Sequence, residues 1–211
     1  MTKTPAIAPA IVLYWHPQSS ASPVACALAE LGVPHQRVKV DIKTGEQRKP
    51  EYLALNPNGK VPTLTVDGAP MFEALAIQLW LAEQYGVGQG LWPAAGTPER
   101  LQAMSWCTWA YVTYGSAIVR LQLATMGDEA LRSAAHADAA RDALDGLLAL
   151  LDARLAKQPW MLGADYSMAD LLVGSVIGYS VYIGAPVARH PHVQAWLGQV
   201  QARPAMRAEQ G

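Results

Sequence analysis

Length, composition and charge limit what this chain can be. Its 211 residues, 51% hydrophobic and 16% charged, suffice for one large or two small globular domains with a full core. A formal net charge of −1, with no basic stripe, argues against nucleic acid as a partner. Cys26 and Cys107 lie far apart and form no cluster with histidine, so neither a disulfide framework nor a zinc site is predicted.

The amino-terminal stretch does not have the pattern of a targeting segment. Residues 1–10 contain one lysine and an apolar run interrupted by Pro5 and Pro9, and we predict a loose extension there. No apolar run in the sequence is long enough to span a membrane. We therefore expect a cytoplasmic protein without a membrane partner.

The first predicted elements are a strand, a helix and a second strand. Residues 11–15 form an apolar run with β-branched and aromatic members, which is typical of a buried strand. Serines followed by Pro23 then begin a helical pattern over 24–31. A second strand is predicted over 36–40, and a short helix over 51–55.

A proline-containing loop leads into the next strand. The segment 56–64 reads Asn-Pro-Asn-Gly-Lys-Val-Pro-Thr-Leu, and Pro62, which has no amide hydrogen, suits the start of a strand. An Asp-Gly turn predicts a hairpin, and a helical pattern follows over 72–85. This order of elements predicts a thioredoxin-like domain over 11–86.

The second half of the chain carries long helical patterns. A stretch rich in glycine and proline over 87–98 predicts a linker, and 99–205 predicts an all-helical domain. One helix is predicted over 100–126, and a second from residue 127 to about residue 157. A Ser-x-x-Asp start at Ser167 and Asp170 precedes a third helix, and we interpret it as a structural capping box without a catalytic role.

Serines at the end of the first strand are candidates for chemistry. The first amides of a helix favour an anion, and a serine hydroxyl beside them can donate one more hydrogen bond to it. Lowering a thiol pKa by two units needs only about 2.7 kcal/mol, which such groups can supply. Ser19 and Ser20 are either thiolate donors or simple helix caps; for Ser22, capping is preferred.

The chain as a whole resembles the cytosolic glutathione transferases. Segment 56–64 is similar to the family's Asn-Pro-x-Gly-x-Val-Pro-x-Leu, and the resemblance runs from about Ile11 to Pro204. It implies an α/β, thioredoxin-like amino-terminal domain followed by an all-α helical-bundle domain. It also implies a cis bond before Pro62, which would turn the Val61 backbone outward to hold the cysteinyl part of glutathione. Without the resemblance, this segment is interpreted as an ordinary loop.

The resemblance includes the serines. Segment 19–22, Ser-Ser-Ala-Ser, is similar to the Ser-Ser-Cys-Ser of zeta-class members, in which the first serine activates the thiol and matches Ser19. Bacterial beta-class members have a cysteine where this chain has Ser20. Because that cysteine is absent, a mixed disulfide with glutathione at this position is excluded chemically.

The resemblance also identifies residues for the two ends of glutathione. In the family, a Glu-Ser pair opens the third helix, where the glutamate meets the glutamyl ammonium and the serine meets the carboxylate. Glu73 matches, whereas Ala74 keeps only its backbone amide. The lost hydrogen bond costs ~1.5–3 kcal/mol, or up to roughly a hundredfold in affinity. Lys60 is a candidate for the glycyl carboxylate, with a solvated lysine as the alternative.

Aromatic residues are candidates for a second-substrate pocket. In the family, the helix after the linker faces the glutathione site and lines an apolar pocket. Trp15, Trp109 and Tyr114 are predicted to line it here, although aromatic residues at such spacing are also typical of a core. A His-Lys pair of the beta class is replaced by Gly115 and Ser116.

These observations predict a glutathione S-transferase that conjugates the glutathione thiolate to small electrophiles. One alternative is zeta-like, glutathione-dependent isomerisation of a maleyl compound. The other is a non-catalytic binding or regulatory protein on the same scaffold, which the departure at Ala74 favours and the intact Val61-Pro62 step, Glu73 and the serines oppose. Glutathione is the expected co-substrate and no metal is expected. The resemblance further implies a homodimer.

Overall fold

The computed structural model describes residues 9–209, so most of the predicted extension over 1–10 lies outside the described residues. The amino-terminal half combines a sheet with three helices. Its elements are β1 (Ile11–Trp15), α1 (Ser22–Glu30), β2 (Gln36–Lys39), α2 (Pro50–Leu53), β3 (Thr63–Val66), β4 (Ala69–Phe72) and α3 (Ala74–Leu81).

The four strands form one mixed sheet in the order β2-β1-β3-β4. β1 and β2 are parallel and are joined by α1, whereas β3 is antiparallel to both β1 and β4. Along β1, Ile11 and Leu13 are buried under the helices, while Tyr14 on the other face packs edge-on against Tyr52. Leu64 lies opposite Leu13 in the register and is equally buried. The predicted thioredoxin-like arrangement is therefore confirmed.

The carboxyl-terminal half is helical throughout. Its helices are α4 (Pro98–Thr108), α5 (Gly115–Met126), α6 (Ala134–Leu155), α7 (Met168–Tyr182), α8 (Pro191–Gln201) and α9 (Pro204–Ala208). A wider helical turn, Trp109–Tyr114, joins α4 to α5 without a break, so the two form one long helix close to the predicted one. Among residues 9–209, none of the helices has both the length and the apolar character needed to cross a bilayer.

One predicted helix start is wrong. The sequence predicts a helix from residue 127, but Gly127 is extended, Glu129–Leu131 form a single 3₁₀ turn, and α6 begins only at Ala134. The Ser133 hydroxyl accepts a hydrogen bond from the backbone amide three residues later at 3.3 Å, whereas Asp128 makes no capping hydrogen bond. The helix therefore begins where its amides find a cap.

The capping box predicted at the start of α7 is confirmed. The amide and the hydroxyl of Ser167 both donate to one carboxylate oxygen of Asp170 at 2.9 Å. The other oxygen accepts from the Met161 amide at 2.7 Å and from the Trp196 indole at 2.9 Å. Burial raises the pKa of this carboxyl group, against the effect of the four hydrogen bonds. Asp170 thus joins α7, α8 and the loop before α7.

Two ion pairs fasten the carboxyl-terminal end to the sheet half. Arg37 on β2 pairs with Glu209 at 2.5 Å. Arg203, just before α9, pairs with Glu30 at the end of α1, and its guanidinium lies 3.6 Å from the ring centre of Tyr166. Since one continuous apolar core also includes residues from both halves, the sheet half is held against the helical half.

Candidate functional site

Three chain segments meet at one end of the sheet. Tyr14 lies opposite Thr63 in the strand register, and Thr63 lies opposite Phe72. Three segments therefore lie at the same end of the sheet: the loop after β1, the Val61–Pro62 step before β3 and the Glu73–Ala74 step after β4. Because α1 and α3 also begin there, two helix amino termini flank the site, and each carries partial positive charge.

The loop before β3 is firmly held. The Val61–Pro62 bond is cis, and both residues are buried. The Lys60 carbonyl accepts hydrogen bonds from the Tyr52 hydroxyl at 2.7 Å and from the Asn56 side-chain amide at 2.8 Å. These contacts fix the chain direction as it enters the sheet.

A glycine is required within this loop. Gly59 has a φ of +57°, a conformation that glycine adopts without steric cost. A Cβ at this position would lie 2.9 Å from the backbone oxygen of Gln47, which is closer than such contacts allow. The Gly-x-Val-Pro spacing therefore has a packing reason as well as a ligand-binding interpretation.

The backbone carbonyl and amide of Val61 are a candidate hydrogen-bonding pair for a ligand. Its carbonyl accepts a hydrogen bond from the Ser20 hydroxyl at 2.8 Å. Its amide donates to no acceptor within residues 9–209. An extended ligand can pair with this amide directly, and with the carbonyl once the Ser20 hydroxyl rotates away.

The serines after β1 have distinct environments. The Ser19 hydroxyl donates to the His16 carbonyl at 2.6 Å and accepts from the Ala21 amide at 3.1 Å, so it closes the turn before α1. Ser20 is exposed, and its hydroxyl donates only to the carbonyl described above. The preferred capping role of Ser22 is wrong, because Ala21 holds the N-cap position and no side chain caps the helix there.

The start of α3 presents free backbone amides. Glu73 is exposed, has a φ of +71°, and makes no capping hydrogen bond. The Ile77 amide donates to the Glu73 carbonyl at 3.0 Å, which leaves the earlier amides of Ala74 and Leu75 without helical partners. Such a terminus favours an anion, and the Glu73 carboxylate beside it suits a cation.

Charged side chains around the site are exposed. Lys60 is solvent-facing and forms no ion pair with any residue between 9 and 209. It therefore stays a candidate for an anionic ligand group. In the same described range, no three histidine, cysteine, aspartate or glutamate side chains are grouped closely enough to hold a metal ion.

Two of the aromatic candidates for a second pocket are partly accessible. Trp15 at the end of β1 is partly buried, and the Arg37 guanidinium lies 5.1 Å from its ring centre. Trp109 is partly exposed and packs edge-on against Trp106 at a ring separation of 5.2 Å. Part of each side chain therefore remains exposed and can contact a ligand.

The third candidate, Tyr114, is a core residue. Its side chain is completely buried, and its hydroxyl shares a hydrogen bond with Ser180 of α7 at 2.8 Å. Burial raises the pKa of Tyr114 to about 12. The wider turn that ends at this residue shifts the helical phase relative to α4, which changes the face that Tyr114 presents. We therefore correct its predicted position as a pocket wall.

Sequence reasoning missed several residues that support the site. Tyr52 and Asn56 hold the loop before β3, and the place of Asn56 within segment 56–64 was an available signal. Gln78, a buried polar residue in an otherwise apolar α3, contacts Tyr111 of the helical half. Its polarity was visible in the sequence, but its partner was not.

The two cysteines are expected to be unreactive in the folded protein. Burial raises the pKa of the Cys26 thiol to about 12, and burial also raises the pKa of Cys107. A thiol-disulfide reagent at pH 8 should therefore label neither in the native protein and both in denaturant. Ser20→Cys is the positive control, because its exposed thiol should react at once. Rapid labelling of native wild-type protein would contradict this burial.

Family models and known relatives agree with these features. A model described as glutathione S-transferase, N-terminal domain, matches residues 19–84, and one described as glutathione S-transferase, C-terminal domain, matches residues 134–199. Glutathione S-transferase GstB of Escherichia coli K12 is 33% identical over 189 residues, which cover 87% of this chain and 89% of that protein.

Solved structures show the same likeness. The theta class glutathione S-transferase of Xanthomonas axonopodis pv. citri, with glutathione bound, is 34% identical and superposes with a TM-score of 0.81, covering 95% of this chain and 97% of the other. A sphingomonad glutathione S-transferase complexed with glutathione is 30% identical, with a TM-score of 0.80 and coverages of 94% and 96%. The chain belongs to the glutathione S-transferase family.

Proposed function

We propose that the protein is a glutathione S-transferase that conjugates the glutathione thiolate to small electrophiles. The observation that carries the proposal is the Ser20 hydroxyl, 2.8 Å from the Val61 carbonyl and close to the start of α1. Glutathione-bound relatives at 30–34% identity support the choice of ligand. The reducing cytoplasm, where thiols stay free, is the setting that we propose.

Glutathione would lie as an added strand along Val61. Its cysteinyl N–H would donate to the Val61 carbonyl, and its cysteinyl carbonyl would accept from the Val61 amide. The glutamyl carboxylate would bind the free amides of Ala74 and Leu75, and the glutamyl ammonium would meet Glu73. Lys60 would face the glycyl carboxylate. The Val61 carbonyl accepts from the Ser20 hydroxyl; each of the other partners is exposed or has no hydrogen-bond partner within residues 9–209.

The serine hydroxyl would then stabilise the reactive form of the thiol. When the ligand occupies the Val61 carbonyl, the Ser20 hydroxyl is released and can donate to the sulfur. That bond and the start of α1 favour the thiolate, whose proton passes to solvent. The thiolate forms a carbon–sulfur bond with the electrophile, and the leaving group departs with its electron pair. Trp15 and Trp109 are the apolar surfaces that we propose for the electrophile.

Conjugation of glutathione to 1-chloro-2,4-dinitrobenzene tests the proposal. We expect a rate above the uncatalysed reaction that saturates with glutathione, because the thiolate is bound before it attacks. No rate above the uncatalysed reaction with this electrophile and a panel of epoxides and enones, at saturating glutathione, would contradict transferase activity. Binding without turnover would instead indicate the non-catalytic alternative.

We also propose a homodimer. Large apolar side chains remain exposed on the long helix, including Leu101 at 72%, Val112 at 60% and Val119 at 52% exposure. A second copy of the chain would cover part of such a surface. Size-exclusion chromatography with light scattering should give a mass twice the 22.7 kDa of one chain. A mass of one chain throughout the micromolar range would contradict the dimer.

A further inference from the structure

The buried amide of Gln78 connects the candidate glutathione site to the helical half. Gln78 is fully buried in α3. Its Nε2 group donates to the Ala74 carbonyl at 3.0 Å and to the Tyr111 hydroxyl oxygen at 2.5 Å. A buried amide is costly unless it is hydrogen-bonded, and these two contacts satisfy its Nε2 group.

One end of this connection is the first residue of the candidate anion site. Ala74 begins α3, and because its side chain has no hydroxyl, only backbone amides can meet an anion there. The preceding residue, Glu73, has a φ of +71°, which is uncommon outside glycine and is maintained only where the surroundings support it. The hydrogen bond from Gln78 to the Ala74 carbonyl holds the turn next to this residue.

The other end lies in the wider turn between α4 and α5. The Tyr111 hydroxyl oxygen accepts from Gln78, and burial raises the pKa of this hydroxyl. Gln78 Oε1 has no hydrogen-bond partner within the described part of the chain. The side-chain orientation of Gln78 therefore depends on its two donor contacts, one of which comes from the other half of the chain.

We propose that Gln78 and Tyr111 form a positioning pair that orders the first turn of α3 for the glutamyl carboxylate of glutathione. Neither residue is catalytic, because both act through the backbone of Ala74. The identification of the ligand as glutathione rests on the proposed function, whereas the ordering of the turn does not. Through this pair, Tyr111 of the helical half affects how tightly the sheet half binds glutathione.

The variants Gln78→Leu, Tyr111→Phe and the double variant test the pair. Gln84→Leu and Tyr182→Phe are matched controls at exposed positions. In ligand-free protein well below the unfolding temperature, amide hydrogen exchange over 74–81 should rise about threefold or more in Tyr111→Phe and further in Gln78→Leu. The controls should match wild type, because they leave the turn untouched.

Glutathione affinity provides the second readout. Each single substitution should raise the calorimetric dissociation constant by about 3- to 10-fold, the range for one neutral hydrogen bond. The double variant should be no weaker than Gln78→Leu, because Tyr111 acts through Gln78. A lower melting temperature with unchanged exchange over 74–81 and an unchanged dissociation constant would overturn the inference. If wild type binds no glutathione, the proposed function is wrong, and so is the claim that the pair serves glutathione binding. The hydrogen-exchange result then decides by itself whether the pair orders the first turn of α3.

Discussion

Replacing Asp170 with alanine is expected to destabilise the protein by about 3–5 kcal/mol. The substitution leaves buried donors at the Met161 amide, the Ser167 amide and the Trp196 indole without an acceptor. Unfolding by denaturant measures the loss directly. In a chain of this length, such a loss corresponds to a fall of roughly 10 °C in melting temperature.

Two further variants separate this network from a general effect of losing charge. Asp165→Ala removes an exposed carboxylate from the same loop, and we expect a change within about 0.5 kcal/mol. Asp170→Asn keeps one acceptor oxygen and should lie between Asp165→Ala and Asp170→Ala. If Asp170→Ala costs less than about 1 kcal/mol, the buried capping network is not what holds α7 and α8 together.

Ser20→Ala is expected to slow glutathione conjugation by about 10- to 100-fold at neutral pH, the equivalent of one charge-assisted hydrogen bond. Without the hydroxyl, the bound thiol should ionise at higher pH, because its thiolate loses a donor. The pH profile of kcat should therefore shift to higher pH. Steady-state kinetics between pH 6 and 9 and direct titration of the bound thiolate by ultraviolet absorbance measure both effects.

Neighbouring serines provide the controls for this result. Ser22→Ala lies in the same segment but makes no capping contact, so we expect activity within about twofold of wild type. Ser19→Ala removes hydrogen bonds to the His16 carbonyl and the Ala21 amide, so it should lower stability more than it shifts the pH profile. The opposite pattern, with a shifted profile in Ser19→Ala only, would transfer the thiolate role to Ser19.

The sheet half could be predicted closely because its signals are local. The apolar run at 11–15 coincides with β1, and the Asp-Gly turn coincides with the β3–β4 hairpin. Helix starts were less predictable where several capping residues compete. Asp128 and Ser133 are both capping residue types, and only the structure shows that Ser133 accepts the capping hydrogen bond.

Only the site residues that lie within contiguous sequence motifs could be predicted. The register of β1, β3 and β4 brings Val61 and Glu73 to the same end of the sheet as the serine loop, in agreement with the site that the family resemblance implies. The contact between Gln78 and Tyr111 could not be found, since it joins residues 33 positions apart in different halves. Burial of Tyr114 was one alternative, because aromatic residues at this spacing are typical of a core, but the sequence alone did not decide between core and pocket.

Calorimetric titration with glutathione tests most directly whether the end of the sheet that holds Val61 and Glu73 binds glutathione. We expect wild type to bind with a dissociation constant from about 10 μM to about 1 mM, weakened by the missing hydroxyl at Ala74. Ala74→Ser should bind up to roughly a hundredfold more tightly. Val61→Pro, which removes the amide donor, should abolish binding, while Val61→Ala, which keeps it, should not. Absence of binding at several millimolar glutathione, or equal binding by Val61→Pro and Val61→Ala, would contradict the site.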